Sequence, residues 1–250
     1  MTGTLYLIPN TLGVAEAPET GALAHIIPDQ VQRRTAGLGY FIAENAKTTR
    51  AFLKLIGAVH PLARPLQEIR ISELNVNTPA AALAGLLAPL LAGEDAGLIS
   101  EAGVPAVADP GANLVRLAHQ HGVTVRPLVG PSSLLLAVMA SGLNGQSFAF
   151  NGYLPVDAAL RGKRLRDLES RSRADKQTQL FIETPYRNAA MLAALANDCQ
   201  AQTLVCVATD LTLASESIVT RTAGQWKQLL AAGKTPDFQR RPTVFLLLAD

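Results

Sequence analysis

The residues best placed to do chemistry fall in one stretch, 95–131, DAGLISEAGVPAVADPGANLVRLAHQHGVTVRPLVGP. Its loop, 100–111, carries Ser100, Glu101 and Asp109 as its only polar side chains, set among Gly103, Pro105, Pro110 and Gly111. No Lys, Arg or Thr stands there to grip a polyphosphate, and the glycine spacing of a phosphate-cradling loop is missing. A backbone-rich, mildly acidic pocket at the carboxyl end of a strand suits a small, cationic, hydrogen-bonding ligand. A structureless connection of this length inside a compact domain is more often functional than not. Two other polar groups end apolar runs. Glu44, Asn45 and Lys47 follow the run GYFIA, and Glu183 and Arg187 sit in ETPYR. A carboxylate or cation at such a place can serve as a base or an electrostatic partner. It can equally be a helix cap or a surface charge.

The elements that must position these groups alternate in type. Residues 4–8 (TLYLI), 39–43 (GYFIA), 96–99 and 124–128 read as strands. Between them, 48–56 reads as a helix, and 78–91 as a second, with Thr78 as its cap and Pro79 at its first position. A third is expected over 112–121, started by Asp109-Pro110 and ended by Gly122. Strand–helix alternation implies parallel pairing through crossovers, hence an α/β layer up to residue 130. After Gly130-Pro131 the pattern restarts. Helices are expected over 133–140, 160–172, 188–197 and 223–231, and strands over 148–150, 178–182, 203–208 and 243–248. The organisation read from this is α/β, with an amino-terminal domain over 1–130 and a carboxy-terminal one over 131–250, linked through 127–132. In such sheets ligands bind beyond the carboxyl ends of strands, and the loops 9–13, 100–111 and 130–133 are all rich in Gly and Pro.

Composition narrows the class. The chain has 250 residues, 48% hydrophobic and 17% charged, with a net charge of +2, which describes a folded, soluble α/β or α protein. The most apolar run, 80–92, is broken by Gly85 and Pro89 and is too short to span a bilayer. The start, MTGTLYLIPN, lacks the regions of a secretory signal. Two cysteines, Cys199 and Cys206, offer neither a disulfide framework nor metal spacing, so reduced thiols and a cytoplasmic location are expected. His119 and His121 lie two apart on a helix and point to different faces, so no metal is expected. The basic run 161–176 (RGKRLRDLESRSRADK) suits a phosphate backbone, or is a solvated helix face partly neutralised by its own acids, and no aromatic residues interleave with it.

Taken in order, these segments resemble the tetrapyrrole methylase family of S-adenosylmethionine (SAM) dependent methyltransferases. GTLYLIPNTLG resembles its opening strand and loop, and LISEAGVPAVADPGANLVRLA its most specific signature. VRPLVGPSSLLLAVMASGL, NGYLPVDAALRGKRLRDLES and ETPYR follow at the family's spacing. ATDLTLASES is similar to an acidic RELTK segment in altered form. The resemblance is strongest to the branch that methylates a ribose 2′-hydroxyl of 16S ribosomal RNA. It implies two α/β domains, SAM in the cleft between them, and a homodimer. It also implies SAM contacts from Leu12, Ser100, Gly103, Val104, Val107, Ser132, Ser133, Leu154, Tyr186, Leu211 and Thr243. A ribose hydroxyl is a weak nucleophile, so Glu44, Lys47, Glu183 and Arg187 are the candidate catalytic groups. The departures fall on the acceptor side. Pro9, Asn10, Thr11, Leu12, Gly13 and Val14 replace a P-x-P-I-G-N loop. The run Ala43-Glu44-Asn45-Ala46-Lys47 replaces A-E-D-T-R, and Asp210 and Leu213 stand where RELTK has Glu and Lys. Methylation of a tetrapyrrole or other small molecule, or a SAM-binding paralogue without catalysis, therefore stay open as alternatives.

Overall fold

Four-residue apolar runs bounded by turn residues become strands buried on both faces, and the computed structural model, which describes residues 1–13, 22–238 and 240–250, shows this twice. The chain divides into two units, Met1–Ser132 and Ser133–Asp250. In the first, β1 (Thr4–Ile8), β2 (Tyr40–Ala43), β3 (Arg70–Glu73), β4 (Ala96–Ile99) and β5 (Thr124–Pro127) form a sheet in the order β3-β2-β4-β1-β5. Every pairing in it is parallel. All four residues of β2 and of β4 are buried, as central strands of a sheet covered on both sides require.

The period of two along each strand sorts the two layers of core. Tyr6, Ile8, Phe41, Ala43 and Ile99 pack with Val31 of α1 (Asp29–Ala36) and with Phe52, Leu53 and Ile56 of α2 (Ala46–Gly57). Leu5, Tyr40, Ile42, Ala96 and Leu98 pack with Leu87 and Leu90 of α3 (Leu83–Leu91) and with Leu114 and Ala118 of α4 (Ala112–Gln120). Helix α1 and strand β3 have no counterpart in the pattern read above. The face that α1 buries includes Gln32 and Thr35, polar residues whose side chains are satisfied by the carbonyls of Ile27 and Val31, both at 2.8 Å. Strand β3 (RISE) is an edge strand with no buried residue.

Two expected caps are corrected. Thr78 does not start a helix. Its hydroxyl accepts from the Asn75 amide at 3.0 Å, Pro79 is extended, and a 3-10 turn over Ala80–Ala82 precedes α3. Asp109 does not cap α4 either. Gly111 holds that position without a side-chain bond, because the loop before it turns through Ala106 and Ala108 at positive φ. Gly122, at φ 67, does follow the end of α4.

The second unit opens with α5 (Ser133–Ser141) and holds β6 (Phe148–Tyr153), β7 (Thr178–Glu183), β8 (Leu204–Thr209), β9 (Ser217–Thr222) and β10 (Thr243–Leu248). Their order is β6-β7-β10-β8-β9. Only β6 and β7 run parallel; the other pairs are antiparallel, so this sheet is mixed. Helices α6 (Ala158–Asp175), α7 (Asn188–Asp198) and α8 (Ala223–Ala231) complete it. Phe181, Val205, Val207, Phe245 and Leu247 pack with Leu165, Leu168, Leu192, Leu195 and Trp226. Strand β9 is an edge strand with mixed polar residues, which is why its sequence carried no strand signal.

Phe245 is fully buried and stacks on Phe181 with centroids 6.0 Å apart. Phe245→Ala is expected to destabilise the second unit by about 3–5 kcal/mol, read as a lower urea midpoint followed by the fluorescence of Trp226.

Candidate functional site

At the carboxyl ends of β1, β4 and β5 three loops are stitched together. Asn10, buried just past β1, donates through Nδ2 to the carbonyls of Ser100 and Glu101, both at 3.1 Å. Its backbone N–H donates to Gly103 O at 2.8 Å, and Gly103 N–H returns to Thr11 O at 3.2 Å. Gly103 has φ 68, and a Cβ there would lie 3.1 Å from Leu12 Cδ2 and 3.5 Å from Pro131 O. The third loop closes as tightly: a Cβ on Gly130 would fall 2.1 Å from Pro9 Cβ. The structure thus brings Leu12, Ser100 and Gly103 together, with the turn that leads to Ser132. Ser100 is buried and its hydroxyl donates to Ala102 O at 3.2 Å. Val104 is half-buried and Val107 is exposed. Val14 lies outside the described residues.

Beside this junction is a cavity of about 10 Å³ lined by Glu44, Leu98, Ser100, Ala106, Asp109 and Gly111 among others. That is room for roughly one water. Asp109 is pushed up to about 6 by burial first and by the Glu44 charge second, with Glu101 adding and the Ser100 hydroxyl opposing. Three carboxylates therefore give the junction a negative field. Glu44 Oε2 accepts from the Glu101 amide at 3.2 Å, which ties the end of β2 to the loop after β4. Asn45 caps α2: its Oδ1 accepts from Lys47 N–H at 2.9 Å and from Thr48 N–H at 3.3 Å. An aspartate would cap in the same way, so the folding role of this run survives the substitution while its charge changes. Lys47 is exposed on the first turn of α2. Asn10, Ala106 and Ala108 were not among the expected site residues. Asn10 was findable, because an Asn after Pro is a turn signal, and its Oδ1 does accept from Thr11 N–H. Nothing in the sequence marks an alanine for positive φ.

In the second unit the ends of β7 and β8 meet the start of β10. Glu183 and Thr209 both lie opposite Thr243 in the ladders, so the three side chains share a face. Glu183, with 1% of its side chain exposed, holds Arg187 at 2.5 Å and accepts from the Thr184 amide at 2.8 Å through the same oxygen. Its other oxygen, Oε2, is buried without a partner among the described residues. Arg187 also donates to Thr184 Oγ1 at 3.1 Å and lies 5.5 Å from the Tyr186 ring centroid. Tyr186 itself is 82% exposed. Thr243 Oγ1 is engaged by Asn188 at 3.0 Å and Thr209 at 3.2 Å, and donates to Arg241 O. Leu211 is buried beside Asp210, whose carboxylate accepts from Ser215 at 2.8 Å. Leu154 is buried and belongs to the same hydrophobic core as Leu165 and Leu168. Ser133 is the first residue of α5.

Most of the arginines in 161–176 make a contact inside their own unit. Arg161 donates to Val156 O, Arg164 to Asn151 Oδ1, and Arg173 to Asp250 O, while Arg166 pairs with Asp198 at 2.9 Å. Lys163, Arg171 and Lys176 are exposed. Both cysteines are buried free thiols. Burial, and then the Glu169 and Asp198 charges, push Cys199 up to about 12, and burial raises Cys206.

Residues 36–226 match the family described as Tetrapyrrole (Corrin/Porphyrin) Methylases. The chain is 32% identical over 211 residues to a ribosomal RNA small subunit methyltransferase I from Xylella fastidiosa, covering 84% of this chain and 72% of that one. It is 39% identical over 151 residues to a protein of the same name from Mesorhizobium japonicum, covering 60% of this chain and 50% of that one. Among solved structures it is similar to the methyltransferase CobJ, with a TM-score of 0.60, 17% identity, and 99% and 95% of the two chains covered. At that identity the likeness shows the fold. No helix among the described residues is long and apolar enough to cross a membrane.

Two predictions come from this geometry. A carboxyl whose folded pKa is raised is stabilising in its protonated form, and that stability is lost as pH rises from about 4 to about 6. Asp109→Asn, which stays neutral, is therefore expected to raise the melting temperature at pH 7.5 and to have a smaller effect at pH 4.5, checked by calorimetric scans across that range. Arg187→Ala leaves the Glu183 carboxylate buried and uncompensated. It is expected to cost about 3–5 kcal/mol, more than the double variant Glu183→Gln with Arg187→Met, measured by urea unfolding.

Proposed function

The chain belongs to the tetrapyrrole methylase family, and we propose that it is a SAM-dependent methyltransferase whose acceptor is a ribose 2′-hydroxyl of small-subunit ribosomal RNA. The observation that carries this reading is the junction of the loops after β1, β4 and β5, with Gly103 kept bare against Leu12 and Pro131. Backbone groups there approach closely, no cationic side chain intrudes from 100–111, and Asp109, Glu44 and Glu101 supply negative charge. That donor set fits a ligand carrying a sulfonium and an ammonium and no phosphate. Leu12, Ser100, Gly103, Val104, Val107 and Ser132 are the first-unit residues proposed to hold SAM. When bound, SAM supplies an electrophilic methyl group. The acceptor is supported by the names of the relatives from Xylella fastidiosa and Mesorhizobium japonicum.

The chain's own residues then have three tasks. The loops hold the donor and exclude water, since an in-line displacement gains most from positioning and desolvation. Glu44, fixed through Oε2 by the Glu101 amide, takes the hydroxyl proton at Oε1. Lys47, in the first turn of α2, offsets the charge that develops on the acceptor.

Calorimetry and nucleoside analysis together test this. Wild-type protein is expected to bind SAM, and Gly103→Val to bind it at least tenfold more weakly. Ribosomal RNA from cells lacking the chain is expected to lose one 2′-O-methyl nucleoside, restored by a wild-type copy. Glu44→Gln is expected to lower kcat by about 10²–10⁴ with SAM affinity unchanged. Absence of SAM binding would sink the enzyme reading. SAM binding with an unaltered nucleoside profile would sink the ribosomal RNA acceptor.

A further inference from the structure

Two tyrosines stand at the carboxyl ends of the adjacent parallel strands β6 and β7, and both are far more exposed than a tyrosine needs to be. Tyr186 is 82% exposed and Tyr153 60%. Both are held by rigid devices rather than left on loose loops. Tyr186 follows Pro185 in a 3-10 turn. Arg187 lies 5.5 Å from its ring, and that guanidinium is in turn fixed by Glu183 and Thr184. Tyr153 is presented by a bulge. The pairing of β6 with β7 slips between Phe150 and Tyr153, and Gly152, at φ 64, absorbs the turn. Asn151 pins the bulge through bonds to Ala149 O, Gln179 Oε1 and Leu180 O, and Arg164 donates to its Oδ1. A bulge that re-aims one side chain, and an aromatic ring propped from behind by a fixed cation, each sacrifice packing to expose a flat apolar surface.

Charge says which partner this edge fits. Helix α6 begins five residues after Tyr153 with Arg161 and Lys163 in its first two turns, and Arg161 Nη1 clamps Val156 O at 2.9 Å. An exposed aromatic ring followed within about ten residues by cations on the next helix fits a polyanion that offers π-faces, which is an unpaired nucleic acid strand. A stacking surface was missing from the basic run 161–176 read alone. The fold supplies it from Tyr153 and Tyr186, residues outside that run.

We propose that Tyr153 and Tyr186 form a stacking platform for unpaired RNA bases, with Arg161 and Lys163 on the adjoining phosphates. The proposal rests on the RNA-acceptor reading above and assigns these two rings to the acceptor strand rather than to SAM.

Binding is measured by anisotropy with a labelled single-stranded RNA and with the same sequence locked in a duplex, and SAM affinity by calorimetry on the same proteins. Wild type is expected to prefer the single strand. Tyr186→Ala and Tyr153→Ala are each expected to weaken single-strand binding about tenfold, Tyr→Phe at either site to retain it, and SAM affinity to stay within twofold. If wild type binds RNA and the alanine variants bind it equally well, the platform is overturned while the RNA reading stands. If wild type binds SAM but no RNA, both fall. If the alanine variants instead change sedimentation and leave RNA affinity unaltered, the rings line a contact between copies and the platform is again overturned.

Discussion

The buried amide of Asn10 is the constraint on which the first unit's functional end depends. One side chain closes two carbonyls of the loop after β4, and its backbone closes a third. Those carbonyls have no strand partner, and a buried polar group left unpaired is expensive. With Asn10 in place the long loop has an anchored start. Everything downstream takes its position from that start: Gly103 against Leu12, the positive-φ alanines, and Asp109 facing the cavity. Glu44 adds a second tie from the next strand over. The loop is therefore irregular in shape while being fixed at several points, which is what a site built on backbone groups needs.

The second unit solves a different problem. Its sheet is mixed, and its strand ends carry charge into the interior. Glu183 is almost completely buried, and Arg187 four residues on neutralises it. A buried pair of this kind is weak as a source of stability. It does fix a guanidinium, and so the ring beside it, in one place. Thr243, Thr209 and Asn188 form a hydrogen-bonded group on the same strand ends, consuming hydroxyls that the sequence alone would leave available to a ligand.

The buried strands were the most legible. Strands β1, β4 and β10 were readable because a strand covered on both faces must be an unbroken apolar run, and TLYLI, AGLI and TVFLLL are such runs. Strands β3 and β9 lie at sheet edges, bury little and read as polar chain. Helix α1 escaped because half of its inward face is Gln32 and Thr35, which satisfy themselves on nearby carbonyls. The loop 100–111 was visible from composition, yet its inner geometry was not. Ala106 and Ala108 adopt a conformation in which alanine is disfavoured, and only the surrounding ties impose it. Asp109 read as a helix cap, since Asp-Pro before an apolar run usually is one, and the strained turn removed it from the helix. The two exposed tyrosines are 33 residues apart in sequence, and parallel pairing of β6 with β7 is what brings both to the same end of the sheet.

The burial of both thiols has a practical side. Cys199 and Cys206 are the chain's two cysteines, both are buried, and burial makes both hold their protons more firmly than a free thiol does. Since the thiolate is the reactive form, the folded molecule is expected to react slowly with maleimides and other thiol reagents at neutral pH. A single cysteine introduced on the surface would then carry a fluorophore or spin label without background. The distance between a tagged ligand and such a labelled point of the protein then becomes measurable.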